Sequence, residues 1–137
     1  MRPNQKNNEV TEIELYPEVE ITDNTDVINI LIKHDFYSSD NENGRLFLEH
    51  MIDALIAFPG RIGVLLIIDK GVLMLDINDD LNRKVTGLIE RSDLCLISEE
   101  SMDYYNIGYG DDLSSYIAPD GRISSLIIET FPLLIIE

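Results

Sequence analysis

Tryptophan is absent from this chain of 137 residues, cysteine occurs once, histidine twice, and 10 basic residues stand against 26 acidic ones, for a net charge of -16. Each scarcity excludes something. The single cysteine, Cys95, forbids an internal disulfide. The shortage of Lys and Arg argues against unassisted binding to nucleic acid or anionic lipid, whose affinity rests on clustered basic contacts to phosphate. A basic protein partner or a cation remains compatible with that charge, and a solvated acidic surface explains it most simply. No apolar run reaches the roughly 18 residues of a membrane span; Val64 to Ile68 and Leu133 to Ile136 have strand length. Met1 to Gln5 lack the apolar core of a secretory signal, so the expectation is a cytoplasmic protein.

What is present is enough for one domain. A chain of this length buries roughly 68–70% of the surface its unfolded form exposes. Residues 1–26 combine Asn4, Gln5, Asn7 and Asn8 with Glu9, Glu12, Glu14, Glu18, Glu20 and Asp23. Too little apolar surface lies there to offset the entropy of ordering it, which predicts a flexible acidic arm. Residues 27–137 form the domain proper. Val27 to Ile32 is a nearly continuous apolar run, the pattern of a strand covered on both faces. Turn-forming residues follow, and then Leu46, Phe47, Leu48, Met51, Ile52, Leu55 and Ile56 recur at three- and four-residue spacing. That spacing predicts a helix capped by Ser39 or Asp40 and stopped before Pro59.

A second strand is expected over Ile62 to Ile68, a helix from Asp79 or Asp80, and a third strand over Leu94 to Ile97. Tyr116 to Ala118 reads as a brief fourth strand, Ile123 to Phe131 as a helix and Leu133 to Ile136 as a last strand. Alternating strand and helix implies a parallel sheet with helices on both faces and every strand C-terminus on one edge, the edge where such sheets place ligands.

Three loops at that edge carry candidate residues. After the first strand, His34 and Asp35 are a base and a possible orienter, although neighbours on extended chain point to opposite faces. After the second, Gly71 supplies a tight turn or the close approach of backbone to a ligand. The third runs from Ser98 to Tyr105. It offers Ser98 and Ser101 without an evident general base, and adjacent Glu99 and Glu100, which an ordinary turn does not bring to one site. No glycine-rich phosphate cradle occurs. The pairs Asp79, Asp80 and Asp111, Asp112 read as helix starts and loops, so neither a metal nor a cofactor is expected. Cys95 lies inside an apolar strand, where its thiol pKa rises and packing is its expected role.

The order of these features resembles the DsrE/DsrF-like family of small sulfur-relay proteins, most closely the DsrE-like domain at the C-terminus of a selenium-metabolism sulfurtransferase-like protein. That domain has a Ser-Asp pair at a strand end, followed by Asp-Glu-Glu-Leu-Gly; here His34 and Asp35 precede Ser39, Asp40, Asn41, Glu42, Asn43 and Gly44. Its Asn-x-Gly-Val-Lys-Leu is similar to Asp69, Lys70, Gly71, Val72, Leu73, without the family lysine. Its Cys-Gly-Thr-Cys-Leu-Asp-Tyr-Tyr is similar to Ser98, Glu99, Glu100, Ser101, Met102, Asp103, Tyr104, Tyr105. The likeness spans about residues 27–136 and implies a parallel five-stranded sheet and a homo-oligomer, trimer or hexamer. Serine stands at both cysteine positions, and a hydroxyl cannot carry a persulfide.

The expectation is therefore a three-layer α/β/α domain acting as a non-catalytic binding or assembly protein for a protein partner or small ligand. Asp35, Asp69, Gly71, Ser98, Ser101, Met102, Tyr104 and Tyr105 are its contact residues. Ser98, Ser101 and Asp69 would supply hydrogen bonds, and Met102, Tyr104 and Tyr105 apolar area. Two alternatives stand beside it: a persulfide carrier working through Cys95, and a nucleotide- or flavin-binding module.

Overall fold

A computed structural model describes residues 26–137. The arm expected over residues 1–26 lies outside the described residues except for Asp26. Five strands form one all-parallel sheet: β1 (Val27–Ile32), β2 (Arg61–Ile67), β3 (Ser92–Ser98), β4 (Ile117–Ala118) and β5 (Leu134–Ile136), in the order β4-β3-β2-β1-β5. Between them run α1 (Glu42–Ala57), a 3-10 helix (Asp69–Leu75), α2 (Asn82–Arg91), α3 (Glu99–Tyr104), α4 (Asp111–Ser114) and α5 (Asp120–Glu129). Helices on both faces make the three-layer α/β/α arrangement.

Alternation along the strands sends side chains to two separate cores. On the first face, Ile30, Ile32, Leu65, Ile67, Cys95 and Ile97 pack against Leu48, Ile52 and Leu55 of α1, Val85, Leu88 and Ile89 of α2, Met102 of α3 and Leu113 of α4. On the second, Leu31, Leu66, Leu96 and Ala118 meet Ile123 of α5, flanked by Leu126, Ile127 and Leu133. Each large side chain buried this way contributes about 1.5–3 kcal/mol.

Two polar devices hold the frame. Asn29, the one polar residue of β1, accepts the Val64 N–H at 2.9 Å and donates to the Pro132 carbonyl at 3.3 Å. It thereby ties the irregular register between Ile28 and Ile30 to the entry of β5. Gly63 sits beside it because a Cβ there would lie 2.5 Å from Asn29 Oδ1. Arg91, the last residue of α2, donates to the carbonyls of Leu55 (2.6 Å), Ile56 (2.8 Å), Phe58 and Gly60 (2.7 Å). Its guanidinium thus satisfies the C-terminal end of α1, where carbonyls lack intrahelical partners and cations are favoured.

Several boundaries differ from those the sequence predicts. The cap of α1 is Asn41, whose Oδ1 accepts the Gly44 N–H at 2.9 Å, not Ser39 or Asp40. The start of α2 moves from Asp79 or Asp80 to Asn82, because the Asp79 carboxylate closes a turn by accepting the Leu81 N–H. α5 begins three residues early, at Asp120, directly after Pro119. β3 extends to Ser92 and Ser98, pairing along β2 from Ile62 to Ile67.

Candidate functional site

The connections leaving β1, β2 and β3 all enter helices of the first face, whereas the connection leaving β4 enters α5 on the second. The direction of winding therefore reverses between β3 and β4. At such a point the outgoing loops part and leave a crevice at the strand C-termini.

Ser98 ends β3 at this crevice and is fully buried. Its Oγ accepts the Ser101 N–H at 2.9 Å, capping α3, and donates to Asp120 Oδ1 at 2.5 Å. That second bond spans the divide, since Asp120 opens α5. Glu100 Oε1 accepts the Asp120 N–H at 3.3 Å. Toward β2, Ser101 Oγ accepts the Asp69 N–H at 2.9 Å, and the Tyr105 hydroxyl donates to Asp69 Oδ1 at 2.9 Å. This last bond, to a carboxylate, raises the Tyr105 pKa above its ordinary value, with lesser contributions from burial and nearby charge. Asp69 holds a left-handed backbone, φ 49°. Aspartate is among the few residues with a side chain that tolerate this conformation.

Between these groups lies a hollow of about 270 Å³ lined by Ile68, Asp69, Ser101, Asp120, Ile123, Ser124 and Ile127. Three isoleucines form its walls, and two carboxylates and two serines its polar points. A larger open depression, about 730 Å³, runs along the exposed side of α2 past Asp79, Asp80, Arg83 and Glu90. It lies off the strand ends and is bordered by solvated charge, so the smaller hollow is the stronger candidate.

Of the residues expected here, the structure brings Asp69, Ser98, Ser101 and Tyr105 into one hydrogen-bonded group. Met102 corrects the expectation of apolar contact area: at 1% exposed it faces the first core from the inner side of α3. Tyr104 is 81% exposed and meets Tyr105 edge to face at 4.9 Å. Gly71 serves the fold, since a Cβ there would sit 2.7 Å from the Ile32 carbonyl oxygen; its small size lets the 3-10 helix close over β1. Asp35 is engaged by Arg45 of α1, which donates to its carbonyl at 3.0 Å, lies 3.8 Å from its carboxylate and also binds Asp79 at 3.1 Å. His34 stacks on Phe36, centroids 4.6 Å apart, and its Nδ1 is buried with no partner among the described residues. Asp35 is thus held by Arg45 rather than by His34 among the described residues.

Sequence reasoning missed Asp120. It lies 22 residues beyond Ser98, and the only signal was an acidic residue following Pro119 at the start of an apolar-periodic segment. Cys95, by contrast, is where the strand pattern predicts: 5% exposed, facing the first core, with burial pushing its thiol pKa up to about 12. Among the described residues, no group of three or more His, Cys, Asp or Glu is placed to hold a metal ion, and no helix is long and apolar enough to cross a membrane. No protein-family model and no curated protein matches this chain.

Proposed function

We propose that this chain is a non-catalytic, DsrE-like binding or assembly protein whose hollow, framed by the loop after β2, by α3 and by α5, takes up a group from a protein partner or a small ligand. One observation carries the reading. Both hydroxyls at the positions of the family's cysteines are engaged inside the fold, Ser98 with Asp120 and the Ser101 N–H, Ser101 with the Asp69 N–H. Neither oxygen can hold a persulfide, and Cys95, buried and held protonated, is a poor substitute because the thiolate is the reactive form. The group therefore serves as a rigid frame for recognition, and homo-oligomeric assembly belongs to the same proposal.

The lining suggests what enters. Isoleucine walls with Asp69 and Asp120 at the rim suit a cation carried on an apolar stem, as in an arginine or lysine side chain. The same carboxylates repel the phosphates of a nucleotide or flavin. Amide chemical-shift mapping with N-acetyl-arginine amide and with a flavin mononucleotide tests this. Arginine-specific shifts at Asp69, Ser101 and Asp120, abolished in Asp120→Asn, are expected. Shifts there with the flavin alone would replace this reading by the nucleotide-module alternative.

A further inference from the structure

The outer side of α5 carries a large exposed apolar side chain and one charge of each sign. The helix buries Ile123, Leu126 and Ile127 against the sheet, so the arc centred on Ser125 points away, with Gly121 and Ile128 on one side of it and Arg122 and Glu129 on the other. Ile128, in the last turn of the helix, is 84% exposed, a large apolar side chain with no cover among the described residues. A Cβ placed on Gly121 meets nothing within 4 Å, so the backbone two turns from Ile128 is bare and open to the approach of another side chain. Arg122 and Glu129 are likewise two turns apart, and neither pairs with another described residue.

We infer that a second copy of the chain packs α5 antiparallel on α5 about a two-fold axis passing at Ser125. Antiparallel apposition about that point places Ile128 of each copy over Gly121 of the other, and Arg122 of each beside Glu129 of the other. One surface therefore carries both halves of each contact, as an isologous interface requires. Phe131, two residues beyond the helix, is 91% exposed. Charge points the same way. In a chain of net charge -16, apposing most surfaces sets carboxylate against carboxylate, whereas this arc carries one charge of each sign at complementary places. The inference rests on the homo-oligomeric part of the proposed function and names its surface; it is independent of what the hollow holds, and either can fail alone.

Sedimentation velocity on the full chain and its charge-reversal variants tests it. The unaltered chain should form a dimer, or a hexamer composed of two-fold pairs. Arg122→Glu and Glu129→Arg should each weaken association by about tenfold or more, because two like charges then meet twice per interface. The double reversal should restore it. Gly121→Leu should abolish association while leaving the urea midpoint of the monomer unlowered, since the site is open and leucine favours a helix more than glycine does. A monomer at every concentration, a bare trimer, or a dimer indifferent to both single reversals overturns the inference. So does a chain that associates only after removal of residues 1–25, which would assign the surface to that segment.

Discussion

Among the described residues, α1, α2, α3, α4 and the 3-10 helix lie against the first face of the sheet, and α5 is the one helix against the second. On the sheet itself the first face buries Ile30, Ile32, Leu65 and Ile67 completely, while on the second Val27, Leu94 and Ile135 keep a third or more of their surface in solvent; outward-facing apolar residues occur on helices of both sides, Leu46 and Phe47 on α1 and Ile128 on α5. The difference separates two tasks that apolar residues perform. Well-covered side chains stabilise the monomer, and poorly covered ones are available to another molecule. The hollow lies where the two faces meet, between a loop that enters the crowded side and one that enters the sparse side.

The sharpest way to break this contrast is to truncate equivalent residues on the two sides. Leu88→Ala, under the first face, should cost about 2–5 kcal/mol in urea unfolding. Ile128→Ala should cost less than about 0.5 kcal/mol, as an exposed substitution does, yet abolish association. Equal losses of stability would erase the distinction. The next largest effect tests how the crowded face is closed: Arg91→Met should lose about 2–3 kcal/mol, because it strips four carbonyls at the end of α1 of their cationic donor. A change within 0.5 kcal/mol would mean that water serves those carbonyls equally well.

At the seam between the faces, Asp120→Ala leaves the fully buried Ser98 hydroxyl without its acceptor and should cost about 1–2 kcal/mol, most of it recovered in Asp120→Asn, whose carbonyl oxygen can accept the same bond. Failure of asparagine to recover stability would show that charge, rather than the hydrogen bond, matters there. The remaining effect appears only in alkali. Burial raises the Cys95 pKa from 9.0 to about 12, so the unfolded chain releases the proton first. The contribution of Cys95 to stability is then full below pH 9 and lost as pH rises toward 12. Cys95→Ala should flatten that part of the stability profile measured by thermal unfolding; an unchanged slope would place the thiol in solvent.

Much of the frame is legible in the sequence because it rests on local periodicity. Val27 to Ile32 is a strand as its composition predicts, and the stripe from Leu48 to Leu55 faces the core as its spacing predicts. The cap of α1 was not, since Ser39, Asp40 and Asn41 are all good capping residues and only the path of the preceding loop selects Asn41. Asn29 has no local signal beyond being the polar residue of an apolar run; its value comes from Val64 and Pro132, 35 and 103 residues away. Met102 sits in a motif of exposed tyrosines, and only the docking of α3 on the first face turns it inward. At the candidate site, Ser98 and Ser101 were visible in sequence, and their partners Asp69 and Asp120 become neighbours only through the strand order, which no periodicity encodes.

The central proposal is that the hydrogen-bonded hydroxyls of Ser98, at the end of β3, and Ser101, in α3, stand where the DsrE-like pattern has thiols. Intact-mass analysis after incubation with a low-molecular-weight persulfide donor, followed by addition of an acceptor thiol, tests it most directly. The account predicts a folded chain with no added sulfur, and labelling of Cys95 at pH 7.5 slowed by about a thousandfold relative to a free thiol, the factor a three-unit rise in pKa implies. A mass increase of one sulfur atom on the native chain, passed on to the acceptor, would contradict it.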